Sequence, residues 1–206
     1  MKNTTNHIEQ SENKLLCGKE TAEKTYIPYL HDLVTLIAGV ILVFSLLFRV
    51  VVVFGPSMNA TLIDGDWLLL LSNTIYKAPQ KGDIIVASKD SFDDGAPIIK
   101  RVIALEGEKV DIDFEAGIVY VNDIPLDEPY TLTPTNQKEG ITFPIVVDDG
   151  CIFVMGDNRN VSKDSRSTDI GLIDCREVLG KAIFLFFPGD NDGHYERDFN
   201  RIGVVS

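Results

Sequence analysis

The sequence predicts an all-β domain of antiparallel sheets preceded by one N-terminal membrane-spanning helix. Three observations lead there. A long apolar stretch lies near the N-terminus, the apolar residues beyond it fall into short runs broken by Gly, Asp, Asn and Pro, and all of the acid surplus follows the stretch. The 206 residues suffice for one or at most two domains. With 31 Asp and Glu against 19 Lys and Arg, the formal net charge is −12, and no Lys/Arg-rich run reverses it locally. Such a surface repels phosphate backbones, so a nucleic-acid partner is excluded. The mean hydropathy is nonetheless slightly positive, so the apolar residues are gathered instead of spread.

Residues 1–32 are polar and show no apolar periodicity until Tyr26–Leu30, which reads as a largely disordered tail. Leu33 to Phe54 then form 22 residues whose only charge is Arg49. A hydrocarbon core of about 30 Å needs roughly 20 apolar residues in a helix, and Arg49 lies where its stem reaches the interface. A buried core helix is one alternative. A cleaved secretory signal is the other, but its apolar region is typically about 7–15 residues behind a short basic start, whereas 32 residues precede this one. Lys2, Lys14, Lys19 and Lys24 come before the span and only Arg49 follows closely. That asymmetry predicts a single-pass protein of the cell membrane with a cytoplasmic N-terminus and an extracytoplasmic domain over residues 55–206. This domain holds 14 bases and 26 acids.

Past the span, strands are predicted at Trp67–Leu71, Ile84–Ala87, Ile98–Leu105, Lys109–Ile112, Ile118–Val121, Ile141–Val147, Cys151–Met155 and Lys181–Phe187. Their shortness, their Ile, Val and Phe content, and turn signals such as Asp64-Gly65 and Asp149-Gly150 argue against helices. Asp127–Gly140, with Pro129 and Pro134, reads as a surface excursion. Of Cys17, Cys151 and Cys175, the last two share the outer side, where two independent thiols are expected.

The chemistry is constrained first by what is scarce. The histidines are His7, His31 and His194, and the first two lie before the span. A Ser-His-Asp triad outside would have to recruit His194, and one His with two separated Cys offers no metal-ligand spacing. Neither metal nor cofactor is expected. Ser57, in Gly55-Pro56-Ser57-Met58, follows the predicted span by three residues, hence within roughly 10 Å of the interface. Taken alone it could be a linker serine. A serine nucleophile needs a base, and without histidine that base is a lysine of lowered pKa. Lys100 alternates onto one face of its strand with Ile98 and Val102, while Arg101 faces the other way with Ile99 and Ile103. An ammonium among branched aliphatics is desolvated, which favours the neutral amine; an edge lysine snorkelling to water is the alternative. The polar segment Gly156–Arg166 could orient a lysine amine through Ser162 and brace itself through Asp164 and Arg166, or be a solvated hairpin loop.

These segments, in this order behind one span, resemble the type I signal peptidases, membrane-anchored proteases with a Ser/Lys dyad. Gly55–Leu62 is similar to the family's nucleophile box, Asp64–Leu68 to the strand after it, Lys81–Ile85 with Ile99–Ile103 to the lysine box, and Met155–Asn158 through Arg166 to the Gly-Asp-Asn box. The resemblance covers about Leu33 to Phe187. It implies Ser57 as nucleophile, Lys100 as general base, Ser162 as the hydroxyl orienting Lys100, and Asp164 with Arg166 as a structural pair. It also implies a signal-peptidase-like β fold, membrane-bound preprotein substrates with small side chains one and three residues before the cut, the lipid bilayer as surroundings, and a monomer. The chain departs from the family pattern at Ala60, Ala104 and Glu106, and at Gly55, where some members carry a serine that helps hold the oxyanion. Two other readings remain from sequence: a soluble Ser/Lys autoprotease relative and a non-catalytic membrane-anchored β module.

Overall fold

The computed structural model describes residues 26–89, 92, 95–190 and 197–205. Most of the predicted tail, with His7 and Cys17, and also His194, lie outside the described residues. The chain divides into two compact units, Met1–Ser45 and Leu46–Ser206.

Helix α1 covers Tyr26–Leu47, 22 residues long and apolar enough to cross a membrane. It therefore starts and ends before the predicted span of 33–54. The difference has a plain cause. Phe48–Val52, with the sequence FRVVV, forms strand β1 and pairs antiparallel with β2 (Trp67–Ser72), Val50 opposite Leu69. Consecutive valines lose rotamer freedom in a helix and fit a pleated surface. Ser57 consequently follows a helix that ends at Leu47, and the reach expected from an end at Phe54 does not apply.

The remaining strands are β3 (Ile84–Ser88), β4 (Pro97–Leu105), β5 (Lys109–Asp113), β6 (Ile118–Val121), β7 (Ile124–Pro125), β8 (Ile145–Val146), β9 (Cys151–Met155), β10 (Ile173–Asp174), β11 (Val178–Phe187) and β12 (Gly203–Val204). They make a large sheet in the order β1-β2-β11-β3-β4-β9-β10, with β12 added on β11, and a small sheet β7-β6-β5-β8. Every pairing is antiparallel. The expected strand Ile141–Val147 contracts to Ile145–Val146 because Pro144 has no N–H to give, and Gly140 bridges Ser167 instead. One apolar cluster joins Met58 and Leu62 to β2, β3 and β11, so the turn carrying Ser57 is anchored in the core. A second lies between β4, β9 and the small sheet, around Phe153 and Val110.

Cys151 and Cys175 are free thiols. Cys151 packs against the cluster around Phe153, and Cys175, in the turn after β10, against the one around Val154.

The turn Asp64-Gly65-Asp66 is tied to the C-terminal segment through one buried carboxylate. Asp66 is fully buried and accepts from the N–H groups of Ile63 (2.8 Å) and Gly189 (2.7 Å). Arg201 closes a fork on it at 2.8 and 2.7 Å. Gly189 has no substitute here, because a Cβ would lie 2.0 Å from the Asp64 carbonyl oxygen. Removing one partner of a buried pair leaves the other uncompensated. Asp66→Ala is expected to destabilise the β unit by about 3 kcal/mol, read as a lowered Tm in detergent micelles; an unchanged Tm would contradict this account of the turn.

Candidate active site

Two turns and one strand build the site. Pro56 to Leu62 form a tight turn in which the Leu62 N–H returns to the Met58 carbonyl (2.9 Å), with both apolar side chains in the core. Asn158 holds this turn from the other side: its backbone N–H donates to the Ser57 carbonyl and its side-chain amide to the Pro56 carbonyl, each at 3.1 Å. The Gly55 N–H is committed to the Asp64 carboxylate at 2.7 Å. Lys100 sits on β4 opposite Ile85 of β3, just before the stretch where β4 pairs with β9.

Lys100 Nζ donates to Ser57 Oγ at 2.9 Å and to the Ile99 carbonyl at 3.0 Å. The residue is only 5% exposed. Burial pulls its pKa down to about 8, opposed by the carboxylates of Asp164, Glu139 and Asp157 and aided by the Arg166 charge. An amine of lowered pKa within hydrogen-bond reach of a serine hydroxyl is an arrangement that can activate a nucleophile. An apolar cavity of about 340 Å³ opens beside the pair, walled by Val52, Phe54, Met58, Val86, Ile98 and Ile99.

Asp164 and Arg166 form a fully buried fork, Nε to Oδ1 and Nη2 to Oδ2, both at 2.8 Å. Asp164 also accepts from the Gly156 N–H at 3.0 Å, and Arg166 donates to the Arg159 carbonyl at 2.7 Å, so the pair locks the loop upon itself. Ser162 is buried as well, packed against Gly156. Its hydroxyl points to the Lys163 carbonyl at 3.5 Å and does not bond Lys100 in this arrangement, contrary to the direct contact expected. The loop follows its own backbone here: the Ser162 N–H is drawn back to the Asn158 carbonyl.

Several residues that shape the site escaped the sequence reading. Arg101 forms a second buried fork with Asp157 (2.8 Å on each arm), and Thr61 of the turn carrying Ser57 donates to the same carboxylate. Arg159 makes a third, with Glu128. The Tyr130 ring lies 4.0 Å from the Arg101 guanidinium. Glu139 approaches Arg166 at 3.8 Å. The Asp127–Gly140 excursion thus supplies packing to all three buried arginines. Only the alternation that turned Arg101 away from Lys100 could have signalled any of this.

The family model for signal peptidase, peptidase S26, matches residues 26–187. The chain belongs to the signal peptidase family. It is 40% identical over 167 residues to a probable signal peptidase I-1 of a Synechocystis species, covering 75% of this chain and 81% of that protein. A signal peptidase I of Bacillus licheniformis is 34% identical over 156 residues, covering 72% and 81%. A signal peptidase IB of Staphylococcus aureus is 37% identical over 152 residues, covering 65% and 75%. A crystal structure of a signal peptidase I from Enterococcus faecalis aligns at 31% identity and a TM-score of 0.43, over 51% of this chain and 97% of that one. As in that family, the chain is a serine endopeptidase, and its apolar helix fits a membrane-anchored member.

Gly156 is where the loops approach most closely. A Cβ there would lie 2.1 Å from Ser162 Oγ and 2.5 Å from the carbonyl oxygen of Ser57, the residue whose hydroxyl meets Lys100. Displacements of about 1 Å can reduce a rate by about 10²-fold. Gly156→Ala is expected to lower kcat for preprotein cleavage on that order while circular dichroism stays native; full activity would show that the turn tolerates the shift.

Proposed function

We propose that the protein removes N-terminal signal peptides from preproteins by a Ser57/Lys100 dyad acting at the outer face of the membrane. The observation that carries the roles is the 2.9 Å contact between Lys100 Nζ and Ser57 Oγ in a site where burial favours the neutral amine. Ser57 Oγ attacks the scissile carbonyl carbon as Lys100 takes its proton. The tetrahedral intermediate collapses with Lys100 donating to the departing amine, leaving an acyl-enzyme on Ser57. Lys100 then deprotonates a water that attacks the ester, and the proton returns to Ser57 as the acid leaves. The Ser57 N–H is the donor assigned to the oxyanion, since the Gly55 N–H is held by Asp64. Ser162 is assigned to orient the amine once its hydroxyl leaves the weak 3.5 Å contact with the Lys163 carbonyl. Asp164 and Arg166 keep that loop in shape.

The sheet suits an extended substrate. β1 is an edge strand, and Pro97–Ile99 of β4 pair with β3 but not with β9, so two backbone edges flank the apolar cavity. A peptide laid between them adds as a strand and places alternate small side chains in the cavity. Exposed Trp67, Phe186, Phe187 and Phe199 stack edge to face with ring centroids 6.2–6.4 Å apart, an aromatic group of the kind found at membrane interfaces. The lysines ahead of α1 support a cytoplasmic N-terminus and an outer catalytic domain.

Purified protein should cleave a preprotein carrying small residues one and three positions before the cut, with Ser57→Ala and Lys100→Ala each losing at least about 10³-fold. Cleavage by either variant at the parent rate would refute the dyad. The pH dependence has a definite sign. A lysine base works only when neutral, so kcat/KM is expected to rise with pH through about 8 and then level off. Activity still climbing steeply above pH 9 would mean an ordinary lysine.

A further inference from the structure

Both peptide units that flank Ser57 are held by one residue. Asn158 donates its backbone N–H to the Ser57 carbonyl and its side-chain amide to the Pro56 carbonyl, each at 3.1 Å. The Pro56 carbonyl also accepts from the Asn59 N–H at 3.1 Å, which closes the turn. Peptide units are planar and the chain rotates only about the two dihedrals at each Cα, so pinning the planes on either side fixes φ and ψ at Ser57. The anchor is itself braced. Its carbonyl accepts from the Val161 and Ser162 N–H groups at 3.1 and 2.9 Å, and the preceding Asp157 is gripped by Arg101.

The Pro56 carbonyl and the Ser57 N–H are the two ends of one peptide unit. That unit is trans, so the N–H points away from the oxygen that Asn158 holds. Within residues 55–57 it is the donor left over: Gly55 gives its N–H to Asp64, Pro56 has none, and the Ser57 N–H meets no acceptor among the described residues. Glycine at position 55 has no side chain to add another. Hydrogen bonds accepted at the oxygen polarise the peptide and strengthen its N–H as a donor, as in any chain of such bonds. We infer that Asn158 is a positioning residue for the oxyanion, its side-chain amide fixing and polarising the Pro56–Ser57 peptide whose N–H meets the charge that develops on the scissile carbonyl oxygen. The inference rests on Ser57 being the nucleophile and its N–H the donor.

The test uses the full chain in detergent micelles, as the parent, Asn158→Ala and Asn158→Leu, the last keeping the branched outline of the amide without its donor. Both variants retain the backbone N–H to Ser57. kcat and KM are measured for a preprotein, together with binding of two peptides that end at the residue before the cut, one in an aldehyde and one in the corresponding alcohol. Ser57 Oγ adds to the aldehyde carbon, the π pair moves to its oxygen and the Oγ proton passes to Lys100, so the adduct places its oxygen where the scissile carbonyl oxygen carries charge. The alcohol has no carbonyl and reports ground-state binding. Each variant is expected to lose about 10- to 10²-fold in kcat, less than the roughly 10²–10³ that follows loss of an oxyanion donor itself. KM should hold, the pattern of an interaction made only in the transition state. Aldehyde affinity should fall by the same factor as kcat, and alcohol affinity should stay. The pH at which activity rises, about 8 in the parent, should not move, since Lys100 keeps its contact with Ser57 Oγ. A merely structural Asn158 would loosen the turn as a whole, weakening aldehyde and alcohol alike or displacing that limb, and either result overturns the proposal. So does an unchanged kcat, or the failure of both variants to fold. A parent that binds the aldehyde no better than the alcohol refutes Ser57 as nucleophile, a separate outcome.

Discussion

The structure depends on keeping one amine dry. An ammonium at 5% exposure is unfavourable unless it is neutralised or paired, and the site uses both routes in part. Burial beside branched side chains of β1, β3 and β4 lowers the pKa of the amine, while carboxylates at longer range limit how far it falls. The balance leaves it close to 8, where neutral and protonated forms are both populated near ordinary working pH. A base that must accept and then donate a proton in one cycle works best in that range.

Three buried arginine–carboxylate forks brace the segments that build the site. Ion pairs of this kind add little net stability compared with well-packed apolar residues, since desolvation cancels most of the attraction. What they supply is geometry. Each fork ties two distant segments: β4 to the Gly156 loop through Arg101 and Asp157, the excursion to the loop through Glu128 and Arg159, and the loop to itself through Asp164 and Arg166. The Asp157 carboxylate also receives the Thr61 hydroxyl, so the turn carrying Ser57, the strand carrying Lys100 and the loop converge on one group. A turn and a strand separated by more than 40 residues are thereby held at hydrogen-bond distance.

What the sequence shows of this follows from the range of the interaction. Strands β6 and β9 could be delimited from their apolar runs, and the face of β4 that carries Lys100 from a period of two, because both are local patterns. Phe48–Val52 reads as part of the span because an apolar run looks alike in lipid, in a buried helix and in a strand, and only its pairing with β2 separates them. Strands β7, β10 and β12 have two residues each, too few for any period. Glu128, Tyr130 and Glu139 stand in a polar, proline-bearing stretch that looks solvated. Their partners lie 25 to 31 residues away or on another strand, and nothing near them in sequence announces that they turn inward.

The glycine at position 55 shows how far a departure from the family's motif bears on the proposed chemistry. Without a side-chain hydroxyl there, stabilisation of the developing oxyanion falls to backbone donors, and losing one such donor typically raises a barrier by about 3 kcal/mol. Yet the same residue gives its N–H to Asp64, and Asp66, two residues on, is clamped by Arg201 and Gly189. The entry to the nucleophile turn is therefore fixed by carboxylates on the far side of the turn, leaving the Ser57 N–H aimed by a rigid backbone. A preorganised donor does not need to reorient as charge develops, and in a site lined by valine and isoleucine its dipole is screened little. On the proposed mechanism, rigidity of the turn and the apolar walls of the cavity serve the oxyanion as they serve the lysine, and both arise from the same packing.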